Sequence, residues 1–594
     1  MALIKYVGEQ DKTIILNGSK KLLSSGQIFS GPSHLVKYAE FQVLGTSKKD
    51  KSEKPIEFSI SGFVENKVDL DFLDESGRPK VSICIVTKDG HDLITRCVNS
   101  IEEHVEYTDF EVVICDTGTT DQKVLDFYKT LDPVKYTIFL GHEYNFSTNN
   151  NFMVKNCSGE AVLFMNNDVF LTYDAVSEMV KYLNCSNIGC VGHRLVWDED
   201  RSSLQHDGQL VYDMKTGAWI GPGHHNYKVD IRNISNENSI VEGVTAAFLM
   251  VRRKYFDQVG GFDEEYKDVF QDVDLNLKIA DLGLTNFVIR EKALLHVDHG
   301  SRKGDATKDS PADLQRFMNT WIRKGPRKIR KSVKYSILIC ATKKHQMQKY
   351  LDSIKSREMY EFIFVNNTKN YMYSAEALNT LREVSTGEIL LYTHQDVYFK
   401  SPEPFSRIDK VIGKLGNNFG VIGPAGVQYN GGHNMKGVDF SSKDYTFDAM
   451  KVHTIDEFCL ITKRSNKLEF GEYLDHFHFY GADICLSAVD RGLRNYVVAL
   501  DMIHDSGGDG NLKEGDGYDQ YRSQARKLYT KWGNKFPMIG TTTARFSNGY
   551  LYYFLGHSLG LFPVDEVMEV DKSTGEYRFT VKTAKEEVPK DKWL

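Results

Sequence analysis

The strand-like stretch SGEAVLFMNNDVFL, Ser158 to Leu171, occurs a second time as TGEILLYTHQDVYF, Thr386 to Phe399. The two align without a gap, so Asp396 stands 228 residues after Asp168 (396 − 168 = 228). In each copy an apolar run ends abruptly in polar side chains. Such groups at the end of a buried strand are costly unless something there needs them. Three further blocks repeat in the same order. VSICIVTKDG at Val81 is followed by YSILICATKK at Tyr335, FEVVICDTG by YEFIFVNNT, and FQDVDLNLKIADLGLTNFVI at Phe270 by FYGADICLSAVDRGLRNYVV at Phe479. Four blocks matching in order predict a duplicated domain.

Within each copy, buried strands alternate with helical spacing. VSICIV precedes the helix-like HDLITRCVNSIEEH, and VVIC, YTIFLG and EAVLFMNND follow with another helix between. This pattern predicts an α/β fold with a mainly parallel sheet. Such sheets bind ligands beyond the carboxyl ends of their strands, where Thr87, Asp116 and Asp168 fall. Before Asp74 the chain shows only strand-like alternation and turns. The expected organisation is a small β module over 1–75, one α/β domain over 76–330, a second over 331–540, and a short extension over 541–594.

A length of 594 residues suits two large domains with smaller pieces. A net charge of −7 argues against a general nucleic-acid binder. The basic run RKGPRKIRKSVK, Arg323 to Lys334, reads as a solvated linker. Several of the nine cysteines lie inside apolar runs and no CxxC pair occurs, so they read as small buried hydrophobes in a reducing compartment. No stretch of about 18 apolar residues predicts a membrane helix. With no export signal in MALIKYVGEQDK, the expected location is cytoplasmic.

Residues 81 to about 305 resemble family 2 glycosyltransferases of the GT-A fold, in the branch that includes many bacterial rhamnosyltransferases. The blocks that carry the resemblance are VSICIVTKDG, VVICDTGTTD, NFSTNNNFMVKNCSGEAVLFMNNDV, VTAAFLMVRRKYFDQVGGFDEEY, FQDVDLNLKIADLG and HVDHGSR. Residues 335 to about 510 resemble a related GT-A-like group through THQDVYF, FHFYGADICL and IHDSGG. The resemblance implies inverting transfer of a sugar from a UDP- or dTDP-linked donor, with Mn²⁺ or Mg²⁺ at the diphosphate. Asp168 would ligate the metal, with Asn166 and Asn167 orienting ribose or phosphate. Asp116 would contact the nucleobase, with Thr87 bordering it. Asp116 could equally serve as a helix N-cap. Asp272, in a Gln271-Asp272 pair where the family has Glu-Asp, would take the acceptor's proton. Asp274 reads as structural. His296 would ligate the metal or touch the diphosphate, with His299 as competitor.

In the second copy Asp396 and His504 keep the metal positions, and Asn366 and Gln395 fall at donor-contact positions. Gly481 stands where Asp272 stands, so the usual base is missing. Asp483, which aligns with Asp274, is the expected catalytic acid or base there, with Asp475, His476 and His478 as substitutes. The expected protein is a bifunctional transferase acting on a glycan, a lipid-linked glycan or a protein. The alternative is one active domain beside a carbohydrate-binding or scaffolding relative. A sugar nucleotidyltransferase would want a Gly-rich loop after the first strand, which VTKDGHDL lacks.

Overall fold

The structure is a computed structural model. It describes residues 2–6, 12–16, 19–23, 28–31, 41–46, 68–297, 311–329, 333–354, 360–369, 371–401, 403–429, 435–439, 449–505, 516–536, 538–542, 544–547, 550–555, 558–562, 566–570 and 577–581. Packing divides the chain into two compact units. One comprises 1–69 and 75–331, the other 70–74 and 332–594. The first unit opens with β1 (Ala2–Tyr6), β2 (Lys12–Leu16), β3 (Ser19–Leu23), β4 (Ile28–Gly31) and β5 (Phe41–Thr46). They form a three-stranded sheet in the order β4-β1-β5 and a β2-β3 hairpin.

The main sheet of the first unit contains β6 (Val81–Thr87), β7 (Phe110–Asp116), β8 (Tyr136–Phe139), β9 (Ala161–Asn166), β10 (Val169–Phe170) and β11 (Ile188–Trp197). β12 (Leu204–His206) pairs with β11, and β13 (Gln209–Tyr212) with β14 (Trp219–His224) as a separate hairpin. β15 (Ser239–Val241), β16 (Phe248–Arg252) and β17 (Thr285–His296) complete it. The sheet runs β10-β17-β11-β16-β9-β6-β7-β8. β6 is parallel to β7 and β9, β7 to β8, and β11 to β17, while β16 runs against both β9 and β11. The helices are α1 (His91–His104), α2 (Gln122–Tyr128), α3 (Phe146–Asn156), α4 (Ala175–Leu183), α5 (Arg253–Gln258), α6 (Gln271–Asp281) and α7 (Pro311–Thr320). Strand runs without alternation, such as Val81 to Ile85, are buried on both faces, as a helix-covered parallel sheet requires.

The amino-terminal edge of this sheet is fastened by one carboxylate. Glu111 on β7 accepts from Ser82 Oγ of β6 (2.7 Å), the Ser158 backbone N–H (2.6 Å) and Lys80 Nζ (3.0 Å). Ser82 Oγ in turn accepts from Gly159 N at the start of β9 (2.8 Å). Three adjacent strands are thereby held in register, with Thr87, Asp116 and Asn166 at their opposite ends.

The second unit contains β18 (Tyr335–Ala341), α8 (Lys344–Asp352), β19 (Tyr360–Asn366), α9 (Ser374–Val384), β20 (Ile389–Thr393), β21 (Val397–Phe399) and α10 (Pro404–Leu415). Then come β22 (Phe419–Gly423), β23 (Ala425–Tyr429), β24 (Met435–Asp439), β25 (Met450–Val452), β26 (Thr454–Ile455), β27 (Cys459–Lys463), α11 (Tyr480–Asp490), β28 (Arg494–Val497), β29 (Met502–His504) and α12 (Asp516–Trp532). Its sheet runs β19-β18-β20-β27-β22-β28-β25. Strand senses repeat those of the first unit: β18 is parallel to β19 and β20, β22 to β28, and β27 runs against β20 and β22.

The repeat extends to single hydrogen bonds. Ser336, Glu361 and Gly387 reproduce Ser82, Glu111 and Gly159. Asn379 binds Phe470 O and Glu472 as Asn151 binds Phe262 O and Glu264. Asn495 spans Val421 N and Cys485 O as Asn286 spans Cys190 N and Asn276 O. One part is not repeated. Between β7 and α3 lie α2 and β8, whereas β19 leads to α9 through residues 367–373. Past α12, Glu566–Val570 and Tyr577–Val581 pair as antiparallel strands.

Candidate functional site

Strand ends assemble the site of the first unit. β9 stops at Asn166, and Asn167 and Asp168 turn the chain into the two-residue β10. β10 lies against the end of β17 with Val169 opposite His296, and Val297 N donates to Asp168 O (3.0 Å). This register brings His296 Nε2 to 3.1 Å from Asp168 Oδ1, with both residues buried. The other imidazole nitrogen, Nδ1, is bonded to Gln205 Oε1, which fixes the ring. His299 lies outside the described residues.

Asp272 comes to the same edge from α6. Its Oδ1 accepts from Val273 N (2.8 Å) and its Oδ2 from Ala246 N (3.3 Å), and the residue is half-buried. The neighbouring Ala247 O accepts from Asn166 N (2.9 Å). Two consecutive alanines therefore tie the Asp272 carboxylate to the tip of β9. Gln271 Oε1 is buried and accepts no hydrogen bond. Asp274 is wholly buried, accepting from Trp321 Nε1 (2.8 Å) and pairing with Lys278 (2.6 Å), a structural acid as expected.

Thr87 and Asn167 are bonded to each other, Asn167 Nδ2 donating to Thr87 Oγ1 (2.9 Å). Asp116 sits at the end of β7 with its carboxylate in use. Oδ1 accepts from Gly118 N (3.0 Å) and Thr119 N (2.7 Å), and Oδ2 from the Tyr128 hydroxyl (2.7 Å). It shapes the loop before α2 rather than capping the helix. The cap is Asp121, which accepts from Lys123 N.

Sequence reasoning missed His206. Its Nε2 accepts from Thr245 N (3.3 Å), one residue before the alanine that holds Asp272. Nδ1 therefore carries the proton of the neutral ring and faces His224 Nδ1 at 2.7 Å. Burial, then the neighbouring His224, His225 and His296, hold His206 well below the usual histidine range. No motif marks this residue; the pairing of β12 with β11 brings it in.

In the second unit β21 pairs with β29 so that Val397 lies opposite His504, and Asp505 N donates to Asp396 O (2.8 Å). His504 Nε2 is 3.4 Å from Asp396 Oδ1. His394, which the sequence reading had not singled out, joins them: His394, Asp396 and His504 offer three ligand atoms within 4.8 Å of one another. His394 N bonds Phe458 O (3.1 Å) as Asn166 N bonds Ala247 O, so His394 occupies the place of Asn166. Burial first, and then the facing His504, lower the His394 pKa.

Three residues expected at the site of this unit have their polar groups engaged within the fold. Asp483, expected as the catalytic acid or base, is one of them. It is wholly buried, and its carboxylate is filled by Gly471 N (2.8 Å), the Tyr473 hydroxyl, Lys531 Nζ (3.0 Å) and Trp532 Nε1 (2.7 Å). Asn366, expected at a donor-contact position, donates from Nδ2 to Phe72 O (2.7 Å) and accepts at Oδ1 from Thr368 N (3.2 Å). Phe72, from the short 3-10 helix Leu70–Asp74, packs edge-on against Phe364 beside it (6.0 Å). Gln395 is spent on Thr342 N and Lys343 N (both 2.8 Å) and on Thr342 Oγ1 (2.9 Å). Among the substitutes, Asp475 is engaged by Gln524 and Lys527. His476 and His478 stand against Tyr373 and Tyr521.

The acid missing from the Asp272 position has a counterpart on the facing loop. Glu457 corresponds to Ala246, each lying two residues before the strand (β27 or β16) that runs against the parallel β20 or β9. Gly481 N donates to Glu457 Oε1 (3.2 Å), reversing the sense of the Ala246–Asp272 bond. A Cβ on Gly481 would stand 2.7 Å from Glu457 Cγ, so the glycine makes room for the glutamate. Burial, with Asp456 adding to it, pushes the Glu457 carboxyl up to about 8. All nine cysteines are free thiols. Among the described residues no helix is long and apolar enough to cross a membrane.

Comparison with known proteins places this architecture. Residues 82–260 match the family described as Glycosyl transferase family 2. That segment holds Thr87, Asp116 and Asn166 to Asp168, while Asp272 and His296 lie beyond it. The chain is 30% identical over 238 residues to O-antigen biosynthesis protein RfbC of Myxococcus xanthus, covering 39% of this chain and 18% of that one. The rhamnosyltransferase WbbL of Escherichia coli is 22% identical over 235 residues, 37% of this chain and 85% of that one. A mannosyltransferase from Pyrobaculum calidifontis, solved with GDP-Man and Mn²⁺, is 18% identical over 38% of this chain and 59% of its own, with a TM-score of 0.28. The chain thus spans less than a fifth of RfbC. Within the first unit, residues 82–260 thus match the Glycosyl transferase family 2 model, and the relatives that share this segment include a rhamnosyltransferase.

Proposed function

We propose that the first unit transfers a sugar, with inversion, from a UDP- or dTDP-linked donor to a hydroxyl acceptor. The observation that carries this reading is the tie at Ala246–Ala247. It holds the Asp272 carboxylate beside the Asn166–Asp168 turn, where Asp168 faces His296. Asp168 and His296 offer one hard oxygen and one imidazole nitrogen, a set that suits Mn²⁺ better than the all-oxygen preference of Mg²⁺. When bound, such an ion supplies the positive charge that a diphosphate leaving group requires. Asp272 takes the proton of the acceptor hydroxyl as its oxygen bonds to the anomeric carbon and the bond to the diphosphate breaks on the opposite face. Gln271, with its unbonded carbonyl oxygen, suits an acceptor hydroxyl as donor. The name of the Myxococcus relative points to cell-surface polysaccharide, so a glycan or lipid-linked glycan is preferred over a protein acceptor.

The nucleotide-sugar site is assigned to the first unit alone. The second lacks the helix and strand that follow the Asp116 position, and its Asn366 is occupied by Phe72. The test is titration of UDP- and dTDP-sugars into the full chain with Mn²⁺. One nucleotide per chain is expected, lost in Asp168→Ala. Two per chain, or one that survives Asp168→Ala, would overturn the assignment.

A further inference from the structure

We propose that Tyr373, His476 and Phe477 form a saccharide-binding platform at the carboxyl edge of the second unit, which takes the apolar face of a neutral pyranose ring. Tyr373 is 45% and Phe477 42% exposed, and the Tyr373 and His476 rings meet edge to face at 5.3 Å and 66°. Tyr373 stands directly before α9, and Phe477 three residues before α11. Both loops therefore lie at the edge where such sheets bind ligands.

The first unit shows what was exchanged at each position. Asn145 precedes Tyr373 by 228 residues (373 − 145 = 228), the offset that relates Asp168 to Asp396. Asn145 caps α3, its side chain accepting from Thr148 N (2.9 Å), whereas Tyr373 makes no cap bond to α9. Giving up such a cap destabilises a helix, and a tyrosine that stays half exposed gains little burial in return. Before α6, counting back from the left-handed Phe270 that matches the left-handed Phe479, the chain exposes Lys267 and Asp268. The second unit carries His476 and Phe477 there. Single exposed apolar residues need no explanation, but aromatic exchanges on two touching loops of one ligand edge do.

The chemistry of the patch selects its occupant. A pyranose presents C–H groups on a face and hydroxyls around its rim, so aromatic rings cover the first and neutral polar groups bond the second. Burial, and then His476, lower His478 to about 4, which leaves its ring neutral at pH 7. Glu457, which accepts from the backbone of Gly481 four residues past Phe477, is raised by burial to about 8 and keeps its proton. Such groups suit hydroxyls better than a charged ligand. The size of the patch points the same way. At about 200 Å² for a whole aromatic side chain, the exposed parts of Tyr373 and Phe477 come to roughly 170 Å². A stable protein interface needs about 800 Å² on each partner, whereas a patch of this size covers one or two sugar rings.

The experiment is saturation-transfer NMR on the full chain, free of nucleotide and metal, with the methyl glycosides of glucose, galactose, mannose, rhamnose and N-acetylglucosamine. At least one is expected to bind, with saturation concentrated on the C–H protons of one ring face. Tyr373→Asn and Phe477→Asp, which install the first unit's residues, should each weaken that binding about 10-fold. Both side chains are exposed, so thermal melts should show neither variant less stable than the wild type, and Tyr373→Asn regains a helix cap. Binding by none of the five glycosides, or binding unchanged in the double variant, would overturn the proposal. So would retention of the chain on phosphatidylglycerol vesicles that Phe477→Asp abolishes, since the patch would then be a membrane contact. Because no sugar nucleotide is used and both variants lie in the second unit, failure here is separate from any failure of the transferase reading.

Discussion

Replacing Glu111 by Gln should loosen the first unit and leave the second untouched, in a way that depends on pH. Burial alone would raise this carboxyl, but the Ser158 backbone N–H, Ser82, Lys80 and Ser158 Oγ outweigh it and lower the pKa from 4.5 to about 2. A difference of 2.5 units at 1.36 kcal/mol each is about 3 kcal/mol, trimmed toward 2 because the side chain retains 19% exposure. The folded pKa is depressed, so the contribution is fully present above the unfolded value near 4.5 and is lost as pH falls toward 2. At pH 3 roughly 1 kcal/mol should remain. The assay is urea unfolding of the full chain read by hydrogen-exchange pulse labelling, peptide by peptide, at pH 7 and pH 3. Peptides from β6, β7 and β9 should shift to lower urea in Glu111→Gln, with a smaller shift at pH 3. Peptides from β18 to β20, fastened by the intact Glu361, are the internal reference. A shift that is equal at both pH values would refute the electrostatic account, and no shift at pH 7 would refute the role of Glu111 altogether.

Asp272→Asn should lower sugar transfer by about 10²–10⁴-fold while donor affinity, followed by calorimetry, stays near that of the wild type. Asp168→Ala should abolish the Mn²⁺ dependence of donor binding, since no other carboxylate lies in MNNDVF. Asp483→Ala should destabilise the second unit by about 2–3 kcal/mol through loss of its bonds to Gly471, Tyr473 and Trp532, measured by the same pulse labelling, with transfer by the first unit unchanged.

The sheet was legible because its strands are long apolar runs with polar ends, and the duplication because those runs repeat in order. Asp168 and His296 could be paired from the resemblance, and the β10–β17 register supplies the physical reason they meet. The surroundings of Asp483 were not legible, because alignment gives a residue's position along the chain and not what packs around it. Its partners Tyr473, Lys531 and Trp532 come from separate segments. The same lesson sits at Asp274, which Trp321 binds from beyond α7. Glu457 was invisible because the carboxylate moved to a facing loop 24 residues upstream of Gly481, a move no linear motif records. The missing α2 and β8 could have been found by counting. Asp116 to Phe146 is 30 positions, and Asn366 to Ser374 is 8. Matching blocks while passing over the gaps between them hid that difference.

The pattern of departures between the two units argues against simple decay of the second. Decay would strike structural fastenings as freely as the ligand edge, yet the fastenings recur: Ser336–Glu361–Gly387, Asn379–Phe470, Asn495 across β22 and α11, and Trp532 on Asp483. The changes concentrate at the carboxyl edge, and they come in mutually fitted pairs. Ala246 and Asp272 become Glu457 and Gly481, with the glycine needed for the glutamate to fit. Asn166 and Gln271 become His394 and Tyr480, which bond to each other. Independent losses would leave unfilled space and unpaired polar groups, each costing about 1–3 kcal/mol. Compensated exchange at the one edge where such a sheet binds ligands is instead what a change of ligand requires. The helix and strand that follow Asp116 have no counterpart after Asn366, while carboxylate and imidazole groups recur, rearranged, at the same edge.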